Sequence, residues 1–95
     1  MRFTWDPEKA KTNLRKHGVS FETAVEVFSD PNQIAGGNYF VEGEQRLQMI
    51  GMTRNLVLLL VVFVEHSDEE VEIAHIISAR KAQAYEQSRY EDQFR

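Results

Sequence analysis

Cysteine is absent from this chain of 95 residues, which excludes disulfide bonds and thiolate metal sites. Long apolar runs are also missing, since the longest, Leu56–Val64, is far shorter than the ~20 residues that span a bilayer. The N-terminus carries no apolar signal segment, so we expect a cytoplasmic protein. The length and the 42% hydrophobic content predict a single folded domain over residues 1–95.

Several catalytic and cofactor motifs are missing as well. The three histidines lack a paired metal-ligand spacing, and the acidic segment Glu65–Glu70 lacks the alternating oxygen ligands and the glycine of a calcium loop. Gly36-Gly37 has neither the lysine nor the following helix of a phosphate-binding loop, and Gly-x-Ser-x-Gly does not occur. The sequence therefore predicts no metal and no cofactor.

Charge is distributed in blocks that the net charge of −4 hides. Residues 1–20 hold five Lys and Arg against two acids, whereas residues 21–45 hold five acids and no Lys or Arg. A second acidic block, residues 65–72, contributes five more acids. This pattern predicts a surface of two signs, with one patch suited to phosphates and another suited to a basic partner.

The N-terminal segment has clear helix signals at both ends. Asp6 is a good N-cap, Pro7 fits the first helical position, and Gly18 is a typical residue just beyond a helix. These signals predict a helix over Pro7–His17.

One face of this helix collects polar side chains. Lys9, Asn13, Lys16 and His17 follow at intervals of four, three and one, so helical geometry places them along one side. The face is cationic and carries a titratable imidazole. It is either a solvated helix surface or part of a functional site.

The remaining pattern predicts an α+β domain with two N-terminal helices, a four-stranded antiparallel sheet and a C-terminal helix. Ser20 caps the second helix, which Asp30 ends. The strand at Leu56–Val64 is apolar on both faces, so it should be central in the sheet. The other predicted elements are strands at Ile34–Val41, Arg46–Thr53 and Val71–Ile77, turns at Glu42–Glu44, Arg54-Asn55 and His66–Glu70, and a helix from Ala79 to about Gln93.

The start of the predicted C-terminal helix carries a second cationic signal. With Ser78 as N-cap, Arg80 and Lys81 fall in the first turn, where the helix dipole is already positive. Two cations there oppose the dipole, which indicates an anion site made with free backbone N–H groups. The alternative is that both side chains pair with acidic loop residues such as Glu42 or Glu44.

A series of short segments extends along nearly the whole chain, in the order Trp5-Asp6, Lys9, Asn13, Lys16–Phe21, Arg46, Ile50-Gly51, Ile76–Ala82, Glu86 and Tyr90-Glu91. In this order and spacing, these segments resemble the BrnT toxins of bacterial type II toxin–antitoxin systems. The resemblance implies a RelE-like fold, ribonuclease activity, and neutralisation by a BrnA antitoxin with a DNA-binding ribbon-helix-helix domain.

This chain has fewer positively charged residues than the family pattern at two places. The position before Ile76-Ile77 is commonly Arg in the family and is His75 here. The segment after Ala82, often rich in Arg, reads Gln83–Gln87. These departures, with the acidic net charge, predict reduced activity or a narrow choice of substrate, because RNA affinity depends on neutralised phosphates.

RNA cleavage without a metal needs cations for the charge that builds on phosphorus. We assign Arg80 to the scissile phosphate, with Arg46 and Lys16 as supporting cations. Lys9 and Lys81 are further candidates for binding RNA phosphates.

The same reaction needs one group to take the 2′-hydroxyl proton and another to protonate the leaving oxygen. His17, His75 and Glu86 are the candidates, and Glu86 would need a pKa raised by burial. Each histidine has a structural alternative, as a charge near a helix C-terminus or as a hydrogen-bonded strand residue. Trp5 either stacks on a base or closes the core beside the helix start.

Two functions of different class follow. The first is a metal-independent endoribonuclease toxin that inhibits translation and growth. The second is a catalytically weak or inactive binding module that holds an antitoxin and assists it on operator DNA. A free-standing nucleic-acid-binding domain ranks third, because no RNA- or DNA-reading motif is visible.

Overall fold

A computed structural model describes residues 1–95. It contains three α-helices and a five-stranded sheet, which confirms the α+β class. None of the helices has the length and apolar content needed to cross a membrane. In chain order, the elements are β1 (Arg2–Thr4), α1 (Pro7–His17), α2 (Phe21–Val25), a 3-10 turn (Glu26–Ser29), β2 (Ile34–Val41), β3 (Glu44–Met52), β4 (Leu58–Asp68), β5 (Val71–Lys81) and α3 (Ala84–Asp92).

The sheet has the order β1-β5-β4-β3-β2. Four strands are antiparallel to their neighbours in chain order, but β1 pairs parallel to β5, with Phe3 opposite Ala74. The prediction of a four-stranded antiparallel sheet was therefore wrong. Arg2–Thr4 is too short to show a strand periodicity, and its pairing depends on a partner about 70 residues away in sequence.

Both predicted ends of α1 are confirmed. The Asp6 side chain accepts a hydrogen bond of 2.8 Å from the Glu8 N–H. Gly18 closes the helix with φ of 70° and donates its N–H to the Leu14 carbonyl. The second helix is capped by Ser20 as expected, but it is α-helical only to Val25 and continues as the 3-10 turn.

The C-terminal helix begins five residues later than predicted. Ser78 lies in β5 opposite Val62, and the strand continues to Lys81, opposite Leu59. The helix instead begins after Gln83, whose N–H donates to the side chain of Glu86, three residues later, at 2.7 Å. Pairing with the buried strand β4 therefore overrides the helix signal, because it satisfies the backbone groups of residues 78–81 in the sheet.

All three predicted turns differ from their limits. Glu44 begins β3, so the first turn is Glu42-Gly43 rather than Glu42–Glu44. The β3–β4 connection spans residues 53–57 rather than Arg54-Asn55 alone, and the Thr53 N–H and side chain both bond to Val57. Strand β4 continues to Asp68, so the acidic turn contracts to Glu69-Glu70.

Strand β4 is central in the sheet, as predicted, and Leu59–Phe63 is buried, whereas its last four residues, Glu65–Asp68, are exposed. Leu59, Val61 and Phe63 point to the larger core, which α1 and α2 cover and which includes Phe21 and Ile76. We call this side the α1–α2 face. Leu60 points to the opposite side, the α3 face, where it packs with Ile50 and Tyr90 in a smaller cluster.

A buried amide fastens α1 to the edge of the sheet. Strand β1 ends opposite His75, so the edge of β5 beyond that point lacks a strand partner. The Asn13 side chain takes its place, because Nδ2 donates to the Ala79 carbonyl and Oδ1 accepts the Ala79 N–H, at 2.9 and 3.1 Å. Nδ2 also donates to the Val19 carbonyl at 2.9 Å, which fixes the turn between α1 and α2.

Replacement of Asn13 by Ala should destabilise the fold. The change leaves buried backbone groups of Ala79 and Val19 without partners, and we expect a loss of about 2–3 kcal/mol in the free energy of unfolding by urea. Thr12→Ala is the matched control, since Thr12 is exposed and its hydroxyl bonds only within α1. Equal stabilities of the two variants would contradict the anchoring role.

Candidate functional site

The cationic face of α1 borders a groove against strand β5. The groove has a volume of about 230 Å³ and contains no acidic side chain. Three sequence candidates, Lys9, Lys16 and His17, lie together there. The lining residues are Lys9, Thr12, Asn13, Lys16, His17, Ile77 and Ser78.

A bulge in β5 shapes the floor of this groove. Val62 pairs with Ser78 and Phe63 pairs with Ile76, so Ile77 is an extra residue without a partner in β4. A bulge bends its strand and redirects side chains. Ile77 and Ser78 consequently face the groove while Ala79 stays in the core.

Three polar residues of β5 lie in a row on the α3 face. His75, Ser78 and Arg80 pair with Val64, Val62 and Leu60 of β4, and these partners alternate along one face. Ser78 belongs both to this row and to the groove, so the two surfaces are continuous. Ser78 and Arg80 are about 6–7 Å apart along the strand.

Arg46 lies on the same face, two strands away. Gln48 of β3 pairs with Val62 of β4. Arg46 comes two residues before Gln48 on the same face, so it is level with Val64 of β4 and with His75, the partner of Val64 in β5. Two strand spacings place Arg46 about 10 Å from His75. Its side chain is 19% exposed and forms an ion pair of 2.9 Å with Glu44.

The cluster under α3 consists of Ile50, Leu60 and Tyr90 with their apolar neighbours, and it leaves the remainder of the face outside. We call that remainder the open face. It consists of Arg46, Gln48, Val64, His75 and Ser78 around the buried Val62, with Arg80 at its boundary.

Arg80 makes a bidentate ion pair with Glu86 of α3. Nη1 donates to Oε1 at 2.8 Å and Nη2 donates to Oε2 at 2.9 Å. Nη1 also donates to the Lys81 carbonyl. Both sequence interpretations of Arg80 were thus wrong in detail: it lies at the end of a strand, and its acidic partner is Glu86 rather than Glu42 or Glu44.

The pair leaves one edge of the guanidinium available. An arginine has five N–H donors, and three of those of Arg80 are used by Glu86 and the Lys81 carbonyl. The Nε–H and the second Nη2–H form the remaining fork, which matches two oxygens of a phosphate. The side chain is 30% exposed, so a ligand can reach it.

Glu86 is held in its charged form. Burial by itself raises the pKa of Glu86, but hydrogen bonds from Arg80 and the Gln83 N–H, with the charge of Arg80, outweigh burial and lower it. Glu86 is only 3% exposed. The raised pKa that a Glu86 proton donor requires is therefore not found, and the carboxylate instead orients Arg80.

The two candidate histidines lie in different surroundings. His75 is half-buried, and its Nδ1 shares a hydrogen bond of 2.7 Å with the Thr4 hydroxyl. That bond leaves Nε2 for a ligand. His17 is exposed at the end of α1, on the rim of the groove. Thr4 was not found from the sequence, because nothing in it predicts β1.

Two other sequence candidates lie outside the groove and the open face. Lys81 pairs with Leu59 at the end of β5 and lines a separate apolar cleft beside Tyr90. Trp5 is half-buried and packs edge to face on Phe21, with ring centroids 5.9 Å apart. It therefore occupies the core position, which is the alternative to base stacking.

Comparison with known proteins adds the family. A model of the ribonuclease toxin BrnT of type II toxin–antitoxin systems matches residues 5–86. The chain belongs to the BrnT family. It is also similar to the crystal structure of the Brucella abortus ribonuclease toxin BrnT, with 26% sequence identity and a TM-score of 0.57, over 87% of this chain and 97% of that one. No individual curated protein sequence gives a significant match.

The matched region contains the groove, the open face and Arg80 together with Glu86. Membership of the BrnT family implies an RNA substrate and an antitoxin partner. The resemblance read from the sequence is thereby confirmed.

The Arg80–Glu86 pair should make stability depend on acid. Because the folded pKa of Glu86 lies below the ordinary 4.5, its stabilising contribution is complete above about pH 4.5 and is lost as pH falls through the folded pKa. Glu86→Gln should lower the free energy of unfolding at pH 7 by about 1–3 kcal/mol, and should lower it less at pH 3. Urea unfolding at a series of pH values measures both.

Glu91→Gln is the control for this experiment. Glu91 lies on the same helix and is exposed, bonded only to the Gln87 side chain. We expect a change within about 0.5 kcal/mol. A Glu86→Gln deficit that does not shrink in acid would contradict the pairing role.

Proposed function

We propose that this BrnT-family protein is an endoribonuclease toxin that cleaves RNA without a metal ion and so inhibits translation and growth. One observation carries the proposal. The cations of α1 line a groove free of acids, and that groove continues through Ser78 to the face that presents Arg80. Such a surface suits a phosphate chain, because RNA affinity comes largely from neutralised phosphates.

Arg80 is proposed to hold the scissile phosphate. Its free fork, Nε–H and Nη2–H, can bind two non-bridging oxygens while Glu86 holds the opposite side of the guanidinium. The charge that builds on these oxygens in the transition state strengthens both bonds. Lys16 and Lys9 would bind neighbouring phosphates in the groove, and Arg46 would support the chain across the open face.

The cleavage step moves two protons. The 2′-oxygen attacks phosphorus as a base takes its proton, the bond from phosphorus to the 5′-oxygen breaks, and an acid protonates that oxygen to leave a cyclic phosphate. His17 on the groove rim and His75 on the open face are the proposed groups. Glu86 is proposed as a positioning residue for Arg80, since its lowered pKa disfavours proton donation.

We propose that the partner is a BrnA-type antitoxin with a ribbon-helix-helix domain, and that the complex contacts operator DNA only through this antitoxin. We further propose a RelE-like fold for the family domain over residues 1–95, and a cytoplasmic location. The acidic blocks at residues 22–44 and 65–72 suit a basic partner.

A second function is favoured by a different observation. The net charge is −4, and His75 and Gln83–Gln87 stand where the family commonly carries positive charge. A catalytically weak or inactive protein that binds the antitoxin and assists repression is consistent with this depletion of positive charge. It predicts a tight antitoxin complex without growth inhibition on expression, whereas the toxin arrests growth.

Replacement of Arg80 by Lys tests the proposed phosphate ligand. Lysine keeps a charge beside Glu86 but loses the fork, so cleavage of bulk RNA in excess EDTA should fall by about 100-fold or more. The fold is checked by circular dichroism and urea unfolding. Arg54→Ala is the control, since this exposed arginine lies in the β3–β4 connection.

The outcomes of this test separate the two functions. Cleavage at the parent rate by Arg80→Lys would contradict the bidentate contact of Arg80 with the scissile phosphate. If neither protein cuts while both bind the antitoxin, the binding module is the correct function.

The groove makes a separate prediction about salt. Lys16→Ala should weaken binding of a single-stranded RNA, and should reduce the slope of log affinity against log salt by about 0.7 for each phosphate that is no longer neutralised. Fluorescence anisotropy across a salt series measures the slope. Lys11→Ala removes an equal charge from the same helix at a residue paired with Glu8 and outside the groove, so equal slopes for the two variants would contradict the groove as the RNA path.

A further inference from the structure

Strand β2 forms an exposed edge of the sheet. It pairs with β3 on one side and has no strand on the other. The inner half of this edge, residues 34–37, is partly covered, because Arg89 of α3 donates to the Ala35 carbonyl at 3.0 Å. A register shift between Ala35 and Asn38 separates that half from the outer half, residues 38–41.

The hairpin geometry determines which backbone groups face outward. The two loop residues Glu42-Gly43 both have positive φ, 49° and 83°, as in a type I′ turn. The Val41–Glu44 pair that flanks such a turn is hydrogen-bonded, and pairs alternate along an antiparallel ladder. The N–H and C=O groups of Phe40 and Asn38 therefore point away from β3, into solvent.

The same outer half carries exposed apolar side chains. Phe40 is 66% exposed, and Tyr39 and Val41 are exposed on the other face of the strand. Natural sheets usually protect an edge with lysine, proline or a covering element. Residues 38–41 contain neither lysine nor proline, so this segment has an unprotected apolar edge.

The charge around this edge is acidic. Strands β3 and β4 are antiparallel with Leu47 opposite Phe63, so the Glu42-Gly43 turn and the Glu69-Glu70 turn lie at the same end of the sheet. The only Lys or Arg residues at this end are Arg46, which is paired with Glu44, and Arg2, which lies opposite Ile73 at the far edge of the sheet from β2. Its acids are Glu42, Glu44, Glu65, Asp68, Glu69, Glu70 and Glu72.

We propose that residues 38–41 of β2 are the docking edge for an extended segment of the antitoxin, which adds a sixth strand to the sheet. The segment would pair with the backbone of Asn38 and Phe40, alternate apolar side chains against Tyr39 and Phe40, and place Lys or Arg beside the acidic turns. The antitoxin as occupant rests on the proposed function. A second copy of this chain fits less well, because it brings the same net charge of −4.

The position of the edge suggests how docking affects the site. Tyr39 lies opposite Arg46, on the face that also carries His75. A segment added to the outer edge of β2 therefore lies two strand positions, about 10 Å, from Arg46, where it can reach the open face without unfolding any element of the toxin.

Phe40→Pro tests the proposal with a BrnA-type antitoxin that is co-expressed with the toxin. Proline is tolerated where an edge N–H faces solvent, but it removes the donor that the sixth strand needs. We expect the dissociation constant of the purified full-length complex to rise about tenfold or more, measured by titration calorimetry. Leu56→Ala, a change of another exposed apolar residue far along the chain, should stay within about twofold.

Hydrogen exchange on the unmodified toxin gives a second measurement that does not depend on the stability of a variant. The amides of Asn38 and Phe40 should exchange more slowly in the complex than in the free protein, because both become bonded. Glu42→Lys should also weaken the complex and reduce its salt dependence.

Three results would overturn the proposal. The first is an unchanged affinity of Phe40→Pro together with unprotected amides at residues 38 and 40, and the second is the absence of any complex. The third is a dimer of the chain alone that Phe40→Pro dissociates, which would make a second copy the occupant. RNA cleavage by the same toxin samples without antitoxin decides the ribonuclease separately. Cleavage by Phe40→Pro at the parent rate, with weakened antitoxin binding, would support docking at an edge distinct from the catalytic residues.

Discussion

The hydrogen bonds of the Asn13 amide constrain the position of every cationic side chain on α1. A helix cannot pair with a strand through its own backbone, and Asn13 supplies the missing donor and acceptor for Ala79 at the edge of β5. Because these bonds are buried, their loss would expose unsatisfied groups in the core. The helix is therefore held in one rotation about its axis, and that rotation directs Lys9, Lys16 and His17 into the groove.

A second constraint lies one residue further along β5, at Arg80. Glu86 reaches from α3 to hold two nitrogens of Arg80, and its Oε1 also accepts the Gln83 N–H that begins the helix. One carboxylate thus caps a helix and orients the proposed phosphate ligand. The cost of burying this charge is met by three hydrogen bonds, which is why the pKa of Glu86 falls despite burial.

Local signals predicted the elements that depend on local interactions. The limits of α1 followed from Asp6, Pro7 and Gly18, because caps satisfy backbone groups within a few residues. Strand β2 was predicted to the residue, and the central place of β4 followed from its apolar faces. The two failures that changed the arrangement of the elements involve distant partners: β1 exists only through pairing with β5, and residues 79–81 stay in the sheet because β4 lies beside them.

The sequence by itself determined the family, the cationic composition of α1 and the separation of the charge into blocks, since spacing and residue type suffice for these. The sequence also placed Arg80 and Glu86 among the segments that carry the family resemblance, but it did not show that the two side chains interact. Only the tertiary structure decided that they form a pair, that Ser78 joins the groove to the open face, and that residues 38–41 of β2 are an uncovered edge. Those facts depend on strand order and register, which arise from contacts between residues far apart in the chain.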